Sequence, residues 1–420
     1  MNVITSHGHW TSIVRALVSS VHRLYRVLRG QRDFARMNVG PTKSHLNIIL
    51  CNLMHAYFAL RGSWVRYSRS PNHYKYVARY HLFGCSYAHT KGVIDALIES
   101  ELIDWKPGFF YREDGQGKLS IIRANRALVD FLSYDVGLRP EDVAFQYHPE
   151  LLVLRDYAKQ PIDYKETSET TGLRYKLQRY NDCLNAHSID LVGLGEAEKT
   201  LRGNYPVDMT RTTYHRVFSN GSFKMGGRFY GTWWQNLKSE LRKFIQIDGK
   251  PTTGLDYSAI HIHLLYSLKE VCYADIFGDA DPYTLDQENS TERNILKLAL
   301  LVALNAENEN KALWATKRKL RDLGENVPYD DLKVLLKRFA ETHHRIQDQF
   351  YSGVGLSLQR LESQISERGI DYFTERGIPV LNVHDCFVCG IDHESILHDQ
   401  MMDAFRALDL LSIPSIKKEF

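Results

Sequence analysis

The chain has 420 residues and 48.6 kDa, with 44% hydrophobic and 25% charged residues, ordinary globular values that allow two or three domains and exclude a mostly disordered chain. A net charge of +3 with a pI near 8.4 neither requires nor excludes a polyanionic partner. Neither a signal peptide nor a run of about twenty apolar residues is present, and six scattered cysteines suit reduced thiols, so the expectation is a cytoplasmic protein with no membrane partner.

Residues 1–40 form a basic helical segment. Arg15, Arg23, Arg26, Arg29, Arg32 and Arg36 face a single acid, Asp33, among helix-spaced Ile13, Leu17, Val21, Leu24 and Leu28. Such a helix either lays its basic face on nucleic-acid phosphates or presents a solvated face while packing with the other. From Ser44, the period of Leu46, Ile49, Leu50, Leu53, Met54 and Tyr57 predicts a helix closed by Gly62. An aromatic-rich stretch follows from Asn72 to Phe83, then a third helix over Tyr87–Ser100 with Val93, Ile94, Leu97 and Ile98 inward. Strand-like runs at Gly108–Tyr111 and Lys118–Arg123 flank the turn residues Asp114-Gly115-Gln116-Gly117. Over residues 41–135 this is the order of a winged helix-turn-helix. Its third helix would offer Tyr87, His89, Thr90 and Lys91 to DNA, and its wing Lys106, Arg112, Lys118 and Arg123; the same module also serves for packing or protein contact.

Residues 136–213 read as a helical connector or thumb-like region. Gly172–Leu184 carries Leu173, Leu177 and Tyr180 as its apolar line and Arg174, Lys176 and Arg179 toward nucleic acid or solvent. From Tyr214 the texture turns to strand: Tyr214–Ser219 and Phe223–Tyr230 flank Asn220-Gly221-Ser222, a tight hairpin signal. The glycines of Gly226-Gly227-Arg228-Phe229-Tyr230-Gly231 lack dinucleotide-fold order and suggest close backbone approach to a ligand.

Two apolar runs end in carboxylates. The first is Leu255-Asp256-Tyr257-Ser258-Ala259-Ile260-His261; the second is Leu381-Asn382-Val383-His384-Asp385, within a strand predicted over Val380–Cys389. Between them lie the turn Asp281-Pro282-Tyr283, helices over Tyr329–Tyr351 and Gly355–Arg368, and a helix over Glu292–Asn305 with Arg293 and Lys297 on one face. Paired carboxylates repel unless a cation lies between them, and their hard oxygens favour two magnesium or manganese ions. Such a pair of ions activates an attacking hydroxyl and supports a triphosphate leaving group. Asp256 and Asp385 are the candidate ligands, with the Tyr257 carbonyl beside them and Arg293 and Lys297 for the triphosphate. Taken singly, each has a structural reading as a cap, a turn residue or a solvated helix face. Cys386-x-x-Cys389 lacks a second metal-binding pair and reads as ordinary strand.

Taken together, Asp-Tyr-Ser, then Arg-x-x-x-Lys on a helix, then His-Asp resembles motifs A, B and C of the family A polymerase superfamily, which includes repair-type bacterial DNA polymerases and phage-type single-subunit RNA polymerases. Gly227-Arg228-Phe229-Tyr230 and Asn236-Leu237 resemble the Gly-Arg and Asn-Leu elements before motif A, and Asp281-Pro282-Tyr283 the short element after it. Arg242-Lys243-Phe244 is similar to Arg-x-x-Phe but one residue shorter. The resemblance covers residues 214–420 and implies an α+β fold, a right-hand palm of antiparallel sheet and helices with reduced fingers. It implies metal ligation by Asp256, Tyr257 and Asp385, catalysis assisted by Lys297 and Arg293, and nucleotide contacts from Arg293, Lys297, Tyr283, His261, Leu301 and Asn305. Arg228, Tyr230, Asn236 and His384 would contact the primer-template.

The chain also departs from the family. His261 replaces the glutamate that blocks a ribose hydroxyl in the DNA polymerases, Leu301 an aromatic, Asn305 a tyrosine and Cys386 a glutamate. The expected function is a compact metal-dependent DNA polymerase that takes DNA and nucleoside triphosphates and extends a primer-template or primes its own synthesis, in mobile-element replication or defence. The alternatives are an RNA polymerase or primase, and a non-catalytic DNA-binding replication initiator with a degenerate polymerase fold.

Overall fold

The computed structural model describes residues 3–4, 15–58, 60, 62–75, 78–80, 85–111, 116–139, 150–195, 207–285 and 290–420. Two large hydrophobic cores organise them, one drawn from residues 21–138 and the other from 151–410, beside a small cluster of Val302, Ala303 and Ala312.

In the first, α1 (Arg15–Leu28) buries Val21, Leu24, Tyr25 and Leu28 against α2 (Val39–Phe58). Ile13 and the side chains of Arg15, Leu17 and Arg32 lie outside the described residues. α2 buries Leu46, Ile49, Leu50, Leu53 and Met54, but Tyr57, read as inward, is 40% exposed at the helix end. There Gly62, at φ 74°, donates its N–H to the carbonyls of Ala56 and Tyr57 and closes the helix. β1 (Val65–Tyr67) follows, then α3 (Tyr87–Glu99), whose first turn is capped by Ser86 Oγ accepting from the His89 N–H. β2 (Ile103–Lys106), β3 (Phe109–Tyr111), β4 (Gln116–Lys118) and β5 (Ser120–Ala124) complete this half. β1 and β2 flank β5 antiparallel, Val3–Ile4 joins β1 in parallel, and β3 pairs with β4 alone. The run read as one strand over Lys118–Arg123 is therefore two strands with different partners. Ser120 Oγ accepts the Gly108 N–H where they divide.

The second half begins with β6 (Leu152–Leu154) and α4 (Ser168–Asn185), whose Leu173, Leu177 and Tyr180 point inward as the spacing predicts. Two of its three cations are ion-paired, and the third, Arg179, is exposed beside the Tyr175 ring. Arg174 pairs with Glu150 and Glu166, and Lys176 with Glu367 and Asp371. Arg79 ties the halves together through Asp163, Glu166 and Glu150, its guanidinium 4.0 Å over the Tyr164 ring.

After β7 (Ile189–Leu191) come β8 (His215–Ser219) and β9 (Ser222–Tyr230), joined through Asn220 and Gly221 at φ 54° and 66°, the tight turn that Asn-Gly permits. β6 pairs with β8 in parallel. β10 (Ile245–Ile247) and β11 (Lys250–Tyr257) lead into α5 (Ile260–Leu268), α6 (Ser290–Ala303), α7 (Glu309–Asp322), α8 (Tyr329–Thr342) and α9 (Gly355–Glu375). β12 (Val380–Val383), β13 (Cys386–Gly390), α10 (Glu394–Arg406) and β14 (Ile416–Lys418) follow. The large sheet runs β12-β13-β11-β10-β7, all antiparallel, with β14 beside the C-terminal half of β11.

Several boundaries differ from the sequence reading. The strand expected over Val380–Cys389 is a hairpin, because His384 takes φ 62° and turns the chain. The helix expected over Tyr329–Tyr351 stops at Thr342, where the buried His343 ring bonds the Pro282 carbonyl and the Tyr266 hydroxyl. α9 continues past Arg368 to Glu375, since Gly369 sits on its buried face near Phe387. No helix among the described residues is long and apolar enough to cross a membrane.

Candidate active site

The site is assembled on β11, which pairs with β13 on one side and with β10 and β14 on the other. Asp256 stands opposite Cys386 of β13 and opposite Lys417 of β14. Asp385 occupies the β12–β13 turn one residue before Cys386, and its carbonyl accepts the Tyr257 N–H at 3.4 Å. The turn is pinned by Asn382 Nδ2, which donates to the His384 carbonyl at 2.8 Å. Two carboxylates distant in sequence thus meet at one end of an antiparallel strand pair.

Their electrostatics follow from that placement. Burial, and then the charge of Asp385, push Asp256 up to about 7, while Lys297 of α6 pulls the other way. Burial and the charge of Glu362 push Asp385 up as well. Among the described residues no three His, Cys, Asp or Glu side chains form a metal-holding group. Two hard carboxylates opposed by their own charge are nevertheless a donor set that a divalent cation suits.

A carboxyl raised in the folded chain keeps its proton while the unfolded chain loses it, so rising pH destabilises the fold. In chelator, the stability gap between Asp256→Asn and the native chain should widen in the variant's favour from about pH 4 to about pH 7, at no more than about 1.4 kcal/mol per pH unit. Urea unfolding across that range checks it; a gap independent of pH would contradict it.

A second constellation adjoins the aspartates. Gly226 and Gly227 take φ 72° and 88° at an irregularity in β9. A Cβ on Gly227 would stand 2.7 Å from the Phe218 ring and 3.2 Å from Ser363 Oγ, so the close approach suggested by these glycines is to the protein itself. The next residue, Arg228, grips Glu362 of α9, with Nε on Oε1 at 2.8 Å and Nη2 on Oε2. His261 Nε2 lies 3.1 Å from Glu362 Oε2. Burial alone would push Glu362 up; the His261 hydrogen bond and Arg228 outweigh it and hold the carboxyl below its ordinary range. The glutamate expected at position 261 is absent, yet a carboxylate arrives beside that position from α9.

The remaining candidates make contacts of their own. Arg293 is fixed by Asp281 at 2.8–2.9 Å and lies 5.7 Å from the Tyr283 ring. Tyr283 is buried and stacked on Phe339, a support for Arg293 within the core. Tyr257 buries its ring and donates its hydroxyl to the Met401 carbonyl at 2.7 Å. His384 packs edge-on to Tyr230 at 5.6 Å, and its buried Nδ1 has no hydrogen-bond partner among the described residues. Leu301 is 37% exposed on α6, and Asn305 donates to the Leu301 carbonyl just beyond that helix. Asn236 is exposed, with Nδ2 on the Thr232 carbonyl. In the N-terminal half, Lys91 pairs with Asp95, Lys118 lies 5.9 Å from the Phe109 ring, and Arg112 is outside the described residues. Lys106 and Arg123 each lie 4.7 Å from the Trp64 ring.

Sequence reasoning missed Glu362 and Glu419. Glu362 was legible as a charge on the buried stripe Leu358, Glu362, Ile365, Gly369, Phe373 of α9. Glu419 follows β14, pairs with Arg242 at 2.9 Å, accepts the Cys386 thiol at 3.0 Å and adds to the rise of Asp256. Its position depends on a three-residue strand pairing at long range, which no local pattern announces.

No known protein family matches the chain, and no curated protein matches it. Among solved structures, the POL domain of Pol1 from M. smegmatis, in complex with DNA primer-template and dNTP, is similar at 12% identity with a TM-score of 0.34. The match covers 60% of this chain and 50% of that one, so the chain spans about half that structure's length. A likeness at that level is too weak to assign a function, and the functional reading rests on the geometry of the site.

Proposed function

We propose that the chain is a metal-dependent nucleotidyltransferase, a compact template-directed polymerase in which residues 214–420 supply the palm and fingers and residues 41–135 a winged-helix-like DNA-binding unit. The observation that carries this reading is the convergence of Asp256, near the end of β11, with Asp385 in the adjoining β12–β13 turn, with the charge of Lys297 acting on Asp256. Asp256, Asp385 and the Tyr257 carbonyl would hold the divalent ions, which when bound supply an activated hydroxyl and charge neutralisation for an in-line displacement.

The chain's own residues do the rest. Lys297 neutralises charge growing on the leaving pyrophosphate, and Arg293, held by Asp281, orients the triphosphate. His261, tied to Glu362, borders the nucleotide's sugar, and the unpartnered Nδ1 of His384 offers a polar contact at the primer end. The order β1, α3, β2, β5 with the β3–β4 hairpin supports the winged-helix reading, with Lys91 and Lys118 toward the duplex.

The experiment is extension of a labelled primer annealed to a template, with magnesium or manganese and either deoxynucleotides or ribonucleotides. Template-directed incorporation from one set is expected. No incorporation from either set would overturn the proposal.

A further inference from the structure

α7 carries a surface that the catalytic reading leaves unused. Its inner side, Ala312, Leu313, Thr316 and Leu320, is buried, and the helix packs against α6 and α8. On the outer side Lys311, Trp314, Lys317, Arg318 and Arg321 recur at the three- and four-residue spacing that places side chains on one helical face. With Asn310, Ala315 and Asn326 they line a cleft of 620 Å³ whose wall holds four cations and no carboxylate. Lys311 is paired with Glu307. Among the described residues Lys317, Arg318 and Arg321 have no ion-pair partner. Like charges at this spacing destabilise a helix, and a polyanion lying along the face would relieve them.

The tryptophan says which polyanion. Trp314 is 60% exposed, whereas Trp233 and Trp234 are buried. Its indole is steadied by Tyr329, with ring centroids 5.1 Å apart, and by Lys317 at 5.6 Å. The Tyr329 hydroxyl is in turn fixed on Asn310 Oδ1. An exposed, pre-oriented aromatic ring among uncompensated cations is a stacking platform for an unpaired base with phosphates on either side. A duplex keeps its base faces within its own stack, and an acidic peptide would leave the indole unused.

We infer that this face binds a single strand of nucleic acid, one base stacking on Trp314 while Lys317, Arg318 and Arg321 meet the flanking phosphates. The cleft contains none of the proposed catalytic residues, so the inference goes beyond the catalytic reading.

The test is fluorescence anisotropy of the full chain with a short labelled oligothymidine and, separately, a hairpin duplex, in chelator and without nucleotides. Trp314→Ala should weaken single-strand binding about tenfold and leave duplex binding unchanged, while Trp314→Phe retains most of the affinity. Arg318→Glu with Arg321→Glu should flatten the salt dependence by about 0.7 per lost contact. Independently, ultraviolet crosslinking of the native chain to a 5-iododeoxyuridine oligonucleotide should label Trp314. Equal single-strand affinity in Trp314→Ala, an equal loss for duplex, or a crosslink map lacking Trp314 would overturn the inference. Since neither metal nor nucleotide is present, failure here is separable from failure of the extension assay.

Discussion

Glu362→Ala is expected to destabilise the chain by about 3–5 kcal/mol in urea unfolding, the largest effect foreseen on stability. Glu362 is 1% exposed and compensates Arg228 on one side and His261 on the other, so its removal leaves a largely buried guanidinium without a counter-charge. Replacing both partners, as in Arg228→Met with Glu362→Leu, should recover most of the loss, because the charge and its partner then leave together. A Glu362→Ala chain within about 1 kcal/mol of native would mean that the pair is too well solvated to matter. In the extension assay the double replacement should remain defective although folded, since it removes the anchor of His261, the residue proposed to border the nucleotide's sugar.

Asp256→Asn and Asp385→Asn should each lower nucleotide incorporation about a thousandfold or more, equivalent to about 4 kcal/mol of transition-state stabilisation. Neither variant should lose stability in chelator, because each removes a carboxyl that burial and neighbouring charge already oppose. That contrast separates a catalytic role from a structural one. A variant that unfolds readily and loses activity in proportion would place these residues in the scaffold instead.

Much of the scaffold was legible where the signal was local. Asn220-Gly221 announced its hairpin because few residue pairs accept two positive φ angles, and the spacing of Val93, Ile94 and Leu97 announced α3. The β12–β13 hairpin was read as one strand because its turn is the two-residue His384-Asp385 with no glycine to mark it. α7 was overlooked because its polar face outweighs its short buried line. Within the site, the motif order picked out Asp256, Asp385 and Lys297, whereas Glu362 and Glu419 reach it from α9 and from beyond β14 through tertiary contacts. Arg293 was read as a cation for a triphosphate, and its partner Asp281 was not foreseen because it lies outside that helix.

The proposed catalysis depends on Asp256 and Asp385 together holding a divalent cation. Thermal unfolding of the native chain and of an Asp256→Asn, Asp385→Asn double variant, each in chelator and then in excess manganese, addresses it most directly, because a ligand that binds only the folded state raises its midpoint. The native midpoint should rise with manganese and that of the double variant should not move. An equal rise in both, or none in the native chain, would contradict the assignment.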